Sequence, residues 1–261
     1  MPDEIIQTIE TIDEPAMQEM VDAGVFCGRT KMMTQPRMRP YILTTRNNVE
    51  IIHMGKTLEK LEEVMVFIKV KAAAKVPMLL VGAQPASQGG LLGLAKEFSL
   101  PSVTVRWLGG TLTNYKVISR RVEYFKKLKA DWQSGALDKY TKKEKVGIQK
   151  ELEKMEELMS GLEIMTVRPE LLIVIDPVAH KSAVREARKL KIPIVAYVNT
   201  DTNPDDVDYF VPGNTKARAS INWFISKIGD AIRDGQKEAA AVAAMVAKKK
   251  EEALAEKPAT K

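Results

Sequence analysis

The chain has 261 residues, of which 45% are hydrophobic and 28% charged, so it holds enough apolar side chains for a folded core and is not a disordered protein. Its single cysteine, Cys27, and its two histidines exclude an internal disulfide and an ordinary zinc site. The net charge is +6, no stretch is apolar enough for a membrane-spanning helix, and the first twenty residues are too acidic for a signal peptide, so we expect a cytoplasmic protein that is not bound to a membrane.

The N-terminal part is predicted to be mostly loop. Residues 1–12 are expected to be a mobile lead-in, and residues 14–23 a short helix that ends at Gly24. Residues 40–52 are predicted to form two short strands around a turn at Asn47 and Asn48. The loop of residues 23–49 has five basic residues and no acid: Arg29, Lys31, Arg37, Arg39 and Arg46. Carboxylates near a phosphate-facing surface are unfavourable, so this loop is predicted to contact phosphates.

Acids are scarce over a longer stretch as well. Between residues 23 and 122 the chain has fifteen Lys or Arg residues but only five acids. This pattern favours a polyanion as the partner of the N-terminal part. For residues 76–105, however, buried strands explain the scarcity of acids equally well.

Beyond residue 54, strand and helix patterns alternate. A helix with Leu58, Leu61, Met65 and Ile68 at helical spacing precedes the strand "PMLLVG", a helix of residues 86–98 and a strand of residues 102–105. After Gly161 come the strand "ELLIVID", the helix "AHKSAVREARKL", the strand "IPIVAYV" and a final helix of residues 215–234. Fully apolar strands joined by helices predict an α/β fold, a flavodoxin-like doubly wound parallel sheet formed by residues 13–110 and 163–235. The tail, residues 236–261, is predicted to be disordered or a solvated helix.

Two helical patterns without a strand between them interrupt the alternation at residues 111–162. Each has an apolar stripe at helical spacing, and "TKKE", Thr141 to Glu144, is a capping box for the second helix. Because the stripes are narrow and the helices highly charged, we predict an inserted antiparallel α-helical hairpin that projects from the sheet. The stripes consist of Tyr115, Ile118, Val122, Phe125, Leu128 and Trp132, and of Ile148, Leu152, Met155, Met159 and Leu162.

The stretch "RWLGGTLTN", residues 106–114, leads from a strand into the first hairpin helix. Its two glycines permit a tight turn, Thr111 or Thr113 is expected to cap the helix, and the free N–H groups of a helix start are a natural phosphate site. We therefore expect this segment to contact the phosphates of a polynucleotide together with the five basic residues of the loop. The candidate residues of the segment are Arg106, Trp107, Thr111, Thr113, Asn114, Lys116, Arg120 and Arg121.

Three other features have two interpretations each. Asp176 and Asp201 follow predicted strands and could hold Mg²⁺, but two aspartates alone are a weak metal signal and local capping is favoured. "VGAQPASQGG" has the setting of a phosphate loop, yet it matches neither phosphate-binding motif, and the glycines of the overlapping "GGLLG" could instead permit close helix–sheet packing. His180, at a helix start, is interpreted as structural. No catalytic residue, metal or cofactor is therefore predicted.

Several segments, in order, resemble the bacterial type of the small-subunit ribosomal protein S2 family. They are "GVFCG", "PRMRPYI", "IIHMGKT", "RWLGGTLTN", "IDP", "EARKLKIPIVA" and "DYFVPGN", within about Met17 to Gly235. The resemblance implies a non-enzymatic structural protein that binds small-subunit ribosomal RNA (rRNA), contacts neighbouring small-subunit proteins and helps to recruit ribosomal protein S1. No homo-oligomer is expected. A flavodoxin-like phospho-acceptor using Asp176 and Asp201, and a coiled-coil adaptor using the hairpin, are the alternatives.

Overall fold

The computed structural model describes residues 14–137 and 140–255, with the side chains of residues 15–137 and 140–241. Its helices are α1 Glu14–Asp22, α2 Met54–Ala73, α3 Pro85–Phe98, α4 Tyr115–Gln133, α5 Lys142–Met159, α6 Lys181–Lys189 and α7 Arg218–Ala255. Its strands are β1 Cys27–Thr30, β2 Ile42–Arg46, β3 Val49–Ile52, β4 Met78–Val81, β5 Ser102–Val103, β6 Leu171–Ile175, β7 Ile194–Val198 and β8 Tyr209–Pro212. Short 3₁₀ turns occur at Lys31–Met33, Pro36–Tyr41, Ser160–Leu162 and Pro204–Asp206.

Five strands form a parallel sheet in the order β5-β4-β6-β7-β8. The chain enters in the interior of the sheet at β4, adds β5 on one side, and then places β6, β7 and β8 on the other. This is the flavodoxin-like strand order, so the predicted fold is confirmed. The connection after β4 leads to β5 on one side and the connection after β6 leads to β7 on the other, so the topological switch point lies between the neighbouring strands β4 and β6.

Helices cover both faces of the parallel sheet. Because side chains alternate along a strand, Leu80 packs with the core formed under α2, α3 and α7, while its neighbours Leu79 and Val81 pack with the core under α4, α5 and α6. Strands with both faces covered must be apolar throughout, and every residue of β4, β6 and β7 is buried.

A second, antiparallel sheet, in the order β1-β3-β2, lies at the carboxyl ends of the parallel strands. Its hairpin turns at Asn47 and Asn48, both with positive φ, as predicted for this turn. Two backbone groups connect this region to Thr200, just after β7: the N–H of Arg29 donates to the Thr200 hydroxyl at 2.9 Å, and the N–H of Gln35 donates to the Thr200 carbonyl at 2.8 Å.

The inserted helices α4 and α5 form the predicted hairpin. Their stripes are buried against the sheet at Ile118, Phe125 and Leu152, whereas Trp132 and Ile148, nearer the connecting loop, are only half-buried. The capping box is present, since the N–H of Thr141 donates to Glu144 at 2.9 Å. The near part of the hairpin therefore belongs to the core, and burial decreases toward its tip.

Some elements differ from the sequence predictions. The strands β1 and β8 were not predicted, and β5 ends at Val103 rather than at residue 105. Helix α7 does not end near Asp234 but continues through Ala255, into the segment predicted as a tail. The predicted lead-in, residues 1–12, lies outside the described residues. None of the described helices has the length and apolarity that a membrane crossing requires.

Candidate nucleic-acid interface

The loop "RWLGGTLTN" is wrapped around a carboxylate of its own chain. Glu186, on α6, accepts hydrogen bonds from the indole N–H of Trp107 at 3.0 Å and from the backbone N–H groups of Gly110 at 2.8 Å, Leu112 at 3.0 Å and Thr113 at 3.1 Å. The hydroxyl of Thr113 donates to the same carboxylate at 3.1 Å. Glu186 therefore occupies N–H groups of the loop that precedes α4, and the phosphate site expected at the start of α4 itself stays a prediction.

The donors around Glu186 stabilise its charged form. Partial burial raises the pKa of this carboxyl group, but the bonds from Trp107 and from the loop backbone outweigh burial, so its pKa lies below the usual value. Gly110, with φ of +87°, gives the loop the left-handed turn that aims these groups at one point. The sequence thus uses the carboxylate of α6 to fix the shape of this loop.

The predicted helix cap is also corrected. Asn114, not Thr111 or Thr113, occupies the cap position of α4. Thr111 is completely buried and donates its hydroxyl to the carbonyl of Leu108 at 2.6 Å, so it supports the loop from inside and is removed from the candidate RNA contacts. Asn114 stays exposed at the start of α4.

Two of the five basic residues of the loop form ion pairs with acids. These acids lie far away in the sequence, so the sequence around the loop could not show them. Arg29 donates through Nε to Asp201 at 3.0 Å, and Arg37 forms an ion pair with Asp205. Both acids belong to the connection between β7 and β8. The expectation that these bases face no acid is therefore wrong for Arg29 and Arg37.

The other predicted cations are exposed and, within the described part of the chain, form no ion pair. Lys31 and Arg39 line a groove of about 450 Å³ next to β2, and Arg46 lies at the end of β2. The first turns of α4 supply three more, and Arg106 follows β5. The unpaired set is Lys31, Arg39, Arg46, Arg106, Lys116, Arg120 and Arg121.

Two neighbouring depressions lie at the carboxyl ends of the parallel strands. We call the first the switch-point crevice; it has a volume of about 530 Å³ and is lined by residues 83–84, 105–107 and 178–182. We call the second the α6 cleft; it has a volume of about 460 Å³ and lies between α6 and residues 201–206, with Gln35 at its edge. Val178 and Lys181 line both depressions, so the two are continuous.

The basic side chains of α6 were missed in the sequence. Lys181, Arg185 and Arg188 all line the α6 cleft, and Arg188 forms an ion pair with Asp206. Their i, i+4, i+7 spacing along "KSAVREARK" puts them on one face of the helix, beside the buried face of Ala183, Val184 and Ala187, and this pattern was the available signal. With Arg106 in the adjoining crevice, these residues extend the predicted basic surface across α6.

Asp176 has partners that balance its charge. It is buried, has a φ of +60°, and accepts hydrogen bonds from Lys216 at 2.8 Å, from Gln84, and from the N–H of Ala179 at 3.4 Å. Burial raises the pKa of Asp176, but these donors lower the pKa by more than burial raises it. The net shift is therefore downward. The bond from Ala179 lies in the turn before α6, whose cap position is His180, so Asp176 supports this turn and does not cap the helix as predicted; the Asp201 carboxylate is held by Arg29.

His180 connects two of the loops that follow the parallel strands. Its ring accepts a hydrogen bond from the N–H of Ala83 at 2.8 Å, and its other nitrogen lies 2.9 Å from the carbonyl of Asp176. The ring is 5% exposed, so its role is structural, as predicted. These bonds fix the loops after β4 and β6 relative to each other.

The glycines of "VGAQPASQGG" serve packing. A Cβ at Gly90 would lie 2.6 Å from Oδ1 of Asn222 and 2.8 Å from Cδ1 of Ile225, both on α7. A Cβ at Gly82 would meet Leu91 and Ser87 of the helix that follows. Gly90 therefore permits close packing of two helices, α3 on α7, whereas the sequence interpretation named close packing of a helix on the sheet.

Fold and site together define a class: an α/β protein with a flavodoxin-like sheet, an inserted helical hairpin, and unpaired cations around the loops at the carboxyl ends of its strands. A family model described as ribosomal protein S2 matches residues 20–235. The chain therefore belongs to the ribosomal protein S2 family, a non-enzymatic class of structural proteins. It is a structural constituent of the small ribosomal subunit and acts in translation as part of a ribonucleoprotein.

Proposed function

We propose that this protein binds small-subunit rRNA through phosphate contacts of its unpaired cations, and so supports assembly of the subunit in the cytoplasm. The observation that supports this proposal is that seven of the predicted cations are exposed and have no ion-pair partner among the described residues. An exposed cation without a counter-charge is free to replace the counterions of an RNA phosphate, and this release favours binding.

The geometry adds a reason for specific docking. The segment with Lys31 and Arg39 is tied to the carboxyl end of β7 through Thr200, and Arg106 follows β5 in the same sheet. A rigid sheet therefore fixes the spacing of cations that lie far apart in the sequence. Fixed spacing lets a protein match one arrangement of phosphates in a folded RNA.

We also propose that the protein helps to recruit ribosomal protein S1 to the small subunit. The resemblance carried by "RWLGGTLTN" and the other segments supports this proposal. The exposed side chains of Met32, 92% exposed, Met33 and Leu43 offer an apolar surface for a protein neighbour near the basic groove. The test is the S1 content of small subunits that contain Met32→Ser, Met33→Ser protein, compared with subunits that contain the parent protein.

The RNA proposal is tested by reversing Lys31 and Arg39 to Glu, since neither residue supports another side chain in the structure. Arg37 is a poor target because a glutamate there would face Asp205. We expect the double variant to fold normally. Its affinity for small-subunit rRNA should fall by about tenfold or more at 0.1 M salt. The measurement is filter binding over a series of salt concentrations, followed by sedimentation of the protein with small subunits.

Lys96→Glu is the matched control for the single reversals Lys31→Glu and Arg39→Glu. Lys96 is exposed on α3, has no ion pair in the described structure, and makes the same change of charge away from the loops after the strands. If Lys96→Glu weakens binding as much as Arg39→Glu does, the attraction depends on net charge and the proposed surface is wrong.

A further inference from the structure

The switch-point crevice lies where open α/β sheets bind ligands, although no part of the ribosomal assignment requires a ligand there. In such sheets the loops after the two strands that flank the reversal of strand order diverge and leave a crevice at the carboxyl ends. Here the walls come from the loops after β4, β5 and β6 together with the start of α6. Its volume of about 530 Å³ falls within the range of small-molecule sites, so a single nucleotide fits.

The charges of the crevice select an anion. Arg106 and Lys181 are its only ionised side chains at neutral pH, both are exposed, and neither forms an ion pair in the described residues. The nearest carboxylates are already held: Asp176 is buried against Lys216, and Glu186 is enclosed by the "RWLGGTLTN" loop. The crevice therefore attracts a phosphate without repelling it from any wall.

The crevice also offers a surface for a base. Trp107 lines it, and the bond from its indole N–H to Glu186 fixes the orientation of the ring. Proteins hold unpaired bases by stacking them on aromatic rings, and bases in single-stranded RNA are accessible to such rings. The exposed Ser182 adds a hydroxyl group to the lining, whereas the Gln84 amide is already bonded to Asp176 and Lys216.

We propose that the switch-point crevice binds one unpaired nucleotide of the rRNA, with the phosphate at Arg106 and Lys181 and the base stacked on Trp107. The inference rests on the proposed RNA-binding function and adds a site to it. A chain is favoured over a free nucleotide because cations continue beyond both ends of the crevice. Arg185 extends them along the α6 cleft, and Lys116, Arg120 and Arg121 extend them along α4. A free nucleotide would contact none of these additional cations.

The test compares rRNA binding by Lys181→Gln, Trp107→Leu and Trp107→Phe variants of the full chain. We expect Lys181→Gln to reduce the slope of log affinity against log salt by about 0.7, the value for one single-strand phosphate. We expect Trp107→Leu to weaken binding roughly tenfold and Trp107→Phe to retain most of the affinity, since phenylalanine stacks but cannot donate to Glu186. Ultraviolet crosslinking in assembled subunits should join Trp107 to one nucleotide.

Several outcomes would overturn the inference. Parental affinity in both Lys181→Gln and Trp107→Leu, with loss in Lys31→Glu, Arg39→Glu, would leave the proposed function standing and remove the nucleotide from the crevice. An equal loss in Trp107→Phe and Trp107→Leu would assign the effect to the Glu186 bond instead. Saturable binding of free ribonucleoside monophosphates at micromolar concentration would make the crevice a small-molecule site. Failure of the proposed function itself is separate, because the Lys31 and Arg39 reversals would then have no effect.

Discussion

Glu186 determines the conformation of a loop that the sequence had assigned to an external phosphate. Its carboxylate satisfies one indole, one hydroxyl and three backbone donors, all from residues 107–113. Hydrogen bonds to a charged acceptor are stronger than neutral ones, and leaving several partly buried donors without a partner is costly. The same carboxylate keeps Trp107 in place at the crevice, so one acidic residue controls the local fold and the proposed base platform.

Replacing Glu186 with Gln should destabilise the protein by about 2 kcal/mol, because the amide turns an N–H group toward N–H donors. That corresponds to a fall of roughly 4–8 °C in melting temperature for a chain of this size. The pKa of Glu186 is lowered by folding, so the stability from its charge is present above the unfolded value of about 4.5 and disappears as pH falls through the folded value. The difference between variant and parent should therefore be largest at neutral pH and should shrink below pH 4.

The measurement is thermal unfolding of both proteins from pH 7 to pH 3. Glu62→Gln is the control, since Glu62 is exposed on α2 and has no hydrogen bond or ion pair in the described structure. A destabilisation by Glu186→Gln that is the same at every pH would contradict the role assigned to its charge.

At the scale of elements, the hairpin of α4 and α5 combines a structural and an exposed part. Ile118, Phe125, Leu152 and Met159 are buried with the sheet residues of one core. Lys129 connects the two helices by ion pairs with Glu156 at 3.0 Å and Glu163 at 3.4 Å. Deleting the whole hairpin would remove about a third of the buried residues of that core, so such a deletion could not test its role in binding.

A shorter deletion can test the role of the hairpin in binding. Replacing residues 134–147 with a short Gly-Ser linker removes the tip and keeps every buried position of the stripes. We expect the melting temperature to change by less than roughly 4 °C, an effect of about 1 kcal/mol. We also expect rRNA affinity to survive, because the unpaired Lys116, Arg120 and Arg121 lie at the other end of α4. Circular dichroism and filter binding check the two parts, and complete loss of RNA binding would make the hairpin tip the dominant contact.

Most elements could be predicted from the sequence because their signal is local. Unbroken apolar runs marked β4, β6 and β7, and helical spacing marked the hairpin stripes. In contrast, β8 has four residues and ends in a proline, and β1 has four residues with a central glycine, so neither carries a clear strand pattern. Their pairing is decided by the edge of a sheet that is already formed.

The same difference separates the candidate site residues that stay exposed and unpaired in the described structure from those that do not. The charge and exposure of Lys31 and Arg39 follow from an acid-poor loop, and this was visible in the sequence. The partner of Arg29 is Asp201, 172 residues away, and the fold alone brings the two together. The burial of Thr111 likewise follows from how the loop folds against α6, because the residue type itself gives no sign of it.

At the scale of the whole molecule, the acids after β7 determine which bases remain available. Asp201, Asp205 and Asp206 pair with Arg29, Arg37 and Arg188. These contacts attach the antiparallel sheet and α6 to the same connection, while the unpaired cations stay exposed around it. The protein therefore uses some basic residues to hold its two sheets together and leaves others exposed, without an ion pair among the described residues.

The Arg29–Asp201 pair should control the attachment of the antiparallel sheet. Both side chains are partly shielded from solvent, 31% and 13% exposed, and they act beside two backbone bonds to Thr200 and the more exposed Arg37–Asp205 ion pair. Asp201→Ala should therefore increase amide hydrogen exchange in residues 27–52 by about tenfold, the equivalent of about 1.4 kcal/mol, while β4, β6 and β7 exchange as before. Exchange measured by mass spectrometry resolves the two regions.

Asp208→Ala would be a poor comparison because that carboxylate accepts a hydrogen bond from the N–H of Ile194, whereas Asp22→Ala, exposed on α1, is a suitable control. Uniformly faster exchange in both sheets would mean that the two sheets unfold as one unit and that this ion pair does not form a separate attachment.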